Sequence, residues 1–153
     1  MQDLHEEITK LKQNRSTTFT GQSTFPISHL DTVELGGRKY FFSTKQHMTW
    51  IDAVTFCRLY GMELTSVETK AEDELIAGHL KSIGQGGSIV YISGNKIGRS
   101  SYTWLNGEPL RYENWHTGNP AQFSTEHCIV YYQSSWADFH CHSDPKPFIC
   151  EEQ

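Results

Sequence analysis

Four cysteines, at positions 57, 128, 141 and 150, constrain this chain more than any other feature. Their number is even, and no pair has the C-x-x-C spacing of a redox or zinc motif. Two disulfides are therefore a better account than four buried thiols, each acting as a small hydrophobe. Three pairings are open, and the spacing does not choose among them. A lone sequon, Asn14-Arg15-Ser16, agrees with an oxidising, glycosylating compartment, so the chain is expected to be secreted and extracellular.

The 153 residues fit one domain, long enough to bury its own core. Hydrophobic residues make up 37% and charged residues 20%, which points to neither disorder nor a membrane span. No apolar stretch approaches the roughly 20 residues needed to cross a bilayer. With a net charge of -5 and its 13 basic residues scattered, the chain lacks the clustered Lys and Arg that phosphate binding needs, so no nucleic-acid partner is expected. The first residues are polar and do not form a signal peptide, as in a mature or trimmed form with an added Met1.

Residues 1–38 read as a lead-in. Leu4, Ile8 and Leu11 fall at helical spacing, and Glu6 can pair with Lys10 at i,i+4. So short a segment is marginal alone. It is expected to be a frayed terminal helix, the other reading being the end of a neck that associates with another chain. Residues 15–28 look like a linker.

The compact unit is expected over 39–153. It opens with the aromatic strand Lys39-Tyr40-Phe41-Phe42-Ser43. Thr49-Trp50-Ile51-Asp52 has the form of a capping box, and Trp50, Ala53, Val54, Cys57 and Tyr60 then recur on one helical face as far as the stop at Gly61. Cys57 thus lies on the buried side of a first helix. Thr69-Lys70-Ala71-Glu72 begins a second, whose apolar face is Leu75, Ile76, Leu80 and Ile83 before Gly84. From residue 88 the pattern changes to short β-branched and aromatic runs at 89–92, 101–104, 128–132 and 147–150. Between Trp104 and Cys128 there is no periodicity, and a loop so long within a compact domain is usually functional or disordered. The class is α+β: two helices, then a mainly antiparallel sheet with one long loop.

Here the order of elements resembles the C-type lectin-like domains. The string Trp50-x-x-Ala53-x-x-x-Cys57-x-x-x-Gly61-x-x-Leu64 is similar to that family's first helix. Val90-Tyr91-Ile92-Ser93-Gly94 resembles its hydrophobic strand ending in Gly. Trp104-x-x-Gly107-x-Pro109 and Tyr112-x-x-Trp115 resemble the start of its long loop. Glu126-His127-Cys128, Trp136-Ala137-Asp138 and Phe148-x-Cys150-Glu151 follow in order. The resemblance covers 39 to 152, and Tyr40 to Ile76 look most like insect secreted lectins. It implies the pairing that arithmetic left open, Cys57 with Cys150 and Cys128 with Cys141, and it implies recognition rather than catalysis.

Sugar-binding members hold calcium with side-chain oxygens from an E-P-N or Q-P-D triplet, a Glu before the third cysteine, and a W-N-D triplet. Aligned on Trp115 and Cys128, this chain offers Asn119-Pro120-Ala121, Glu126 and Trp136-Ala137-Asp138. Ala121 and Ala137 have no oxygen to give, Asn119 is short, and Glu126 and Asp138 remain as metal ligands. Calcium takes about six to eight oxygens, so ordinary calcium-dependent sugar binding is not expected, and no other cofactor is implied. Glu108-Pro109-Leu110 precedes Trp115 and is read as a structural turn.

Gln122 and Phe123 are expected at the rim of the long loop, where an aromatic face stacks on sugars or anchors a protein contact; packing of Phe123 within its own loop is the equal alternative. His140 and His142 flank Cys141 and could meet a divalent metal with Glu126 or Asp138, although histidines are more often solvated or locally bonded. No G-x-S-x-G elbow, phosphate-cradling glycine loop or H-E-x-x-H helix occurs, so no enzyme is expected. The candidate ligand-binding loop is Asn119, Gln122, Phe123, Glu126 and Asp138. Its expected partner is a glycan or microbial surface, in insect innate immunity, or else another lectin chain.

Overall fold

A computed structural model describes residues 30–153 apart from Ser124. The expected terminal helix and the linker at 15–28 lie outside the described residues.

Helix α1, Trp50–Leu59, starts where the Thr49 hydroxyl accepts the Asp52 N–H at 3.4 Å. It ends as Gly61 turns at φ 74, a conformation that costs glycine nothing. Its buried residues are Trp50, Ala53, Val54, Phe56 and Cys57. Helix α2, Lys70–Ser82, is capped likewise by Thr69, which accepts the Glu72 N–H at 3.1 Å.

The buried stripe of α2 differs from the expected one. Ile76 and Leu80 are buried, but Leu75 and Ile83 are 43% and 37% exposed, and Asp73 takes the inner position instead. Residues 73, 76 and 80 stand at i, i+3 and i+7, a narrower face than four apolar residues imply. Leu75 flanks that face and covers the turn at Gly36, where an added Cβ would lie 2.9 Å from Leu75 Cδ1.

Among the described residues, seven strands form two antiparallel sheets. In the first, β1 (Val33–Leu35), β2 (Arg38–Phe42), β3 (Met62–Leu64) and β7 (Ile149–Glu152) lie in the order β1-β2-β7-β3. In the second, β4 (Val90–Asn95), β5 (Glu126–Tyr132) and β6 (Ser135–His140) lie in sequence order. The β1–β2 hairpin straddles residue 39, where the sequence suggests that the compact unit begins. The run at 101–104 is not a strand. Thr103 makes only isolated bridges to Asn95 and Pro109, because the chain reverses at once, Trp104 N–H donating to the Glu108 carbonyl and Gly107 N–H to the Trp104 carbonyl.

The Cys57–Cys150 disulfide ties α1 to β7 across 93 positions, and Cys128–Cys141 closes 13. One core cluster surrounds Cys57, Phe56 and Phe148. The other joins Ile76 and Leu80 of α2 to Trp104, Ile129 and Trp136. The Trp50 indole N–H reaches across to the Ile92 carbonyl at 2.8 Å, fastening α1 to β4. Outside these two cores, residues 114–116 of the long loop run beside β6.

Candidate functional site

Three attachments shape the long loop. The first is a buried carboxylate. Asp73 accepts hydrogen bonds from the Tyr112 hydroxyl at 2.8 Å, the Asn114 amide at 2.7 Å, the Trp136 indole at 3.3 Å and the Tyr131 hydroxyl. Burying a carboxylate is costly unless its oxygens are satisfied, and four donors satisfy these. Burial first, then Asp73, pushes the Tyr112 phenol up to about 12, and the same causes hold that of Tyr131 well above its ordinary value. Nothing in the sequence marks Asp73, which reads as an ordinary acidic residue in the first turn of a helix.

The second attachment is backbone. Trp136 N–H donates to the Asn114 carbonyl and His116 N–H to the Trp136 carbonyl, both at 2.7 Å, so residues 114–116 run beside β6. Trp136 meets the rings of Trp104, Tyr112 and Trp115 edge-on, at centroid distances of 5.5, 5.9 and 5.9 Å. Edge-to-face contact is the favoured arrangement for such quadrupoles.

The third lies at the tip. After a cis Asn119–Pro120 bond, the N–H groups of Ala121 and Gln122 donate to the two carboxylate oxygens of Asp138, at 3.0 and 2.6 Å. Asp138 is 5% exposed, whereas Phe123 is 64% exposed. Phe123 therefore does not pack into its own loop. Glu126 stands half-buried at the start of β5, opposite His140, and its carbonyl accepts from the Tyr102 hydroxyl at 3.2 Å. Burial, then the charges of Asp138 and Glu126, raises the Tyr102 phenol. The structure thus brings Asn119, Gln122, Phe123, Glu126 and Asp138 to one end of the β5–β6 hairpin. It does not bring His140 and His142 into a metal cluster with Glu126 or Asp138: among the described residues no three His, Cys, Asp or Glu side chains converge on a common point.

Residues 46–152 match the lectin C-type domain family. The chain belongs to that family. It is a family of binding domains, not enzymes. Among the relatives of this C-type lectin domain is a snaclec from the snake Deinagkistrodon acutus, one of the subunits of an anticoagulant protein. That relative is 31% identical over 117 residues, covering 70% of this chain and 73% of its own length. The mouse scavenger receptor C-type lectin carbohydrate-recognition domain superposes with a TM-score of 0.71 at 27% identity, over 80% of this chain and 93% of that one. A structure described as an SPL-1–GlcNAc complex does so with a TM-score of 0.69 at 26% identity, over 78% and 90%. The snaclec relatives are snake proteins, so the likeness to insect lectins in particular gains no support from them.

The residues at the loop tip do not fit the calcium site implied by the sequence resemblance. Ala121 and Ala137 carry no side-chain oxygen, and both oxygens of Asp138 already face N–H donors. A cation there would confront the positive ends of two backbone dipoles.

Proposed function

We propose that this chain is an extracellular recognition module that binds a glycan on a microbial surface through the tip of its long loop, without calcium. The single observation that carries the reading is the exposure of Phe123, 64%, beside Gln122 and the half-buried Glu126. An aromatic face stacks on the apolar side of a sugar ring, while amide and carboxylate groups address its hydroxyls. Asn119 and Glu126 flank the contact, and Asp138 supports it from behind. Two disulfides suit an oxidising, extracellular compartment. An innate-immune role in an insect rests only on the wording of residues 40 to 76.

The test is binding to glycan arrays and fixed microbes in calcium and in EDTA, for the wild type and Phe123→Ala. Binding that is unchanged by EDTA and weakened at least about tenfold by the substitution is expected, since an exposed aromatic anchor contributes on that scale. Binding abolished by EDTA would overturn it.

A second reading, pairing with another lectin chain, is favoured by the snaclec relative, which is itself named as a subunit. An exposed aromatic residue on a rigid turn is also a natural protein anchor. In that case no glycan is retained, and light scattering with a partner chain reports a complex that Phe123→Ala dissolves.

A further inference from the structure

We infer that Asp138 is a latch that holds the tip of the long loop in its binding shape with no metal present. The inference rests on the proposed function only for what the tip binds; the latch itself concerns this chain alone.

The geometry is specific. Each oxygen of one carboxylate accepts one backbone N–H, from Ala121 at 3.0 Å and from Gln122 at 2.6 Å. Hydrogen bonds to an ionised acceptor are short and about twice as strong as neutral ones. Asp138 is 5% exposed, so little water competes for its oxygens. Its backbone is fixed in β6 opposite Ile129, two positions beyond the fully buried Trp136.

The loop adopts an unusual backbone to meet it. Gln122 has φ 64, the left-handed region that non-glycine residues rarely enter. Such a residue persists where surrounding bonds over-determine it. Here the conformation places two successive N–H groups on one carboxylate and leaves Gln122 and Phe123 outside. Ala121, in the position where an oxygen ligand would be needed, contributes its N–H instead. The polarity of the site is thereby inverted, with donors where a cation would need acceptors. The binding edge is pre-formed, and its ligand meets a fixed Phe123 face and Gln122 amide with no ion between them. Asp138 is a positioning residue.

Amide hydrogen exchange on the 15N-labelled chain tests this, with Ala121 and Gln122 followed in about 10 mM calcium, enough to fill the weak site of an extracellular module, and in EDTA. Both amides should be protected, equally in the two buffers. Asp138→Ala should speed their exchange about ten- to a hundredfold while Ile129 in β5 keeps its rate. Asp138→Asn retains one oxygen acceptor and should keep at most one of the two amides protected, which preserves the test if the alanine variant does not fold. Unprotected amides in the wild type, protection that appears only with calcium, or protection unchanged in both variants would overturn the latch. Loss of ligand binding with the amides still protected would count against the proposed function and leave the latch standing.

Discussion

The phenol of Tyr131, in β5, donates its hydrogen bond to Asp73 of α2, 58 positions earlier in the chain. The same carboxylate accepts from Tyr112 and Asn114, at the start of the long loop. One side chain therefore joins the second helix, the central strand of the second sheet and the long loop. The acidic residue that carries the loop's foundation is not one that the family's ligand pattern singles out.

Asp73→Ala should destabilise the chain by roughly 3–5 kcal/mol, because it leaves the buried Tyr131 hydroxyl and Trp136 indole N–H without an acceptor. Tyr131→Phe removes one donor and leaves the others in place, so about 1–2 kcal/mol is expected. Urea unfolding followed by circular dichroism measures both. Equal losses would mean that Asp73 serves Tyr131 alone.

Burial pushes the Glu151 carboxyl up from 4.5 to about 7, outweighing the hydrogen bonds from Thr65 and Ser66 and the charge of Arg38. The folded chain then holds a proton that the unfolded chain releases between those values. This contribution to stability is fully present below about pH 4.5 and is lost as the pH rises through 7. Glu151→Gln stays neutral throughout. Its stability relative to the wild type should rise by about 3 kcal/mol between pH 4.5 and 8. Denaturation curves of the two proteins across that range decide the matter, and parallel profiles would contradict it.

Gly94 lies within β4, where an added Cβ would collide with Ile129 and lie 3.2 Å from Trp104. Both neighbours are essentially buried, so neither side chain has free space to enter. Gly94→Ala should cost about 1–3 kcal/mol, as overpacking typically does. Gly98→Ala makes a poor control because of its positive φ; thermal melts compare Gly94→Ala with Gly78→Ala, in open space on α2, which should be neutral or slightly stabilising.

The two disulfides should be unequal in thermodynamic weight. Chain-entropy arguments assign roughly 4–5 kcal/mol to a closure of 93 positions and about 3 kcal/mol to one of 13. Replacing Cys57 and Cys150 by Ser should therefore lower the urea midpoint more than replacing Cys128 and Cys141. The reverse order would show that the short bridge supports structure beyond its own loop.

Much of the fold is legible in the sequence because its signals are local. Thr49 and Thr69 are caps that bond their own helices, Gly61 is a stop required by its own φ, and β4 and β5 carry runs of β-branched and aromatic residues, Val90-Tyr91-Ile92 and Ile129-Val130-Tyr131-Tyr132. What is not legible depends on partners distant in the chain. Val33–Leu35 and Met62–Leu64 are three residues each, too short to show an alternation, and they are strands only because β2 and β7 lie beside them. Ser101–Trp104 has strand composition but turns back at Gly107. At the site, the missing oxygens of Ala121 and Ala137 can be read directly. The donors that meet Asp138 cannot, since they are backbone groups that any sequence would supply.

Trp136 sits edge-on to the indoles of Trp104 and Trp115, each within 6 Å. Trp104 is almost wholly buried, but Trp115 is only half-covered and belongs to the long loop. The intrinsic indole fluorescence of this chain therefore draws on its interior and on its long loop together, and a change in the cover over Trp115 should shift the colour of that emission.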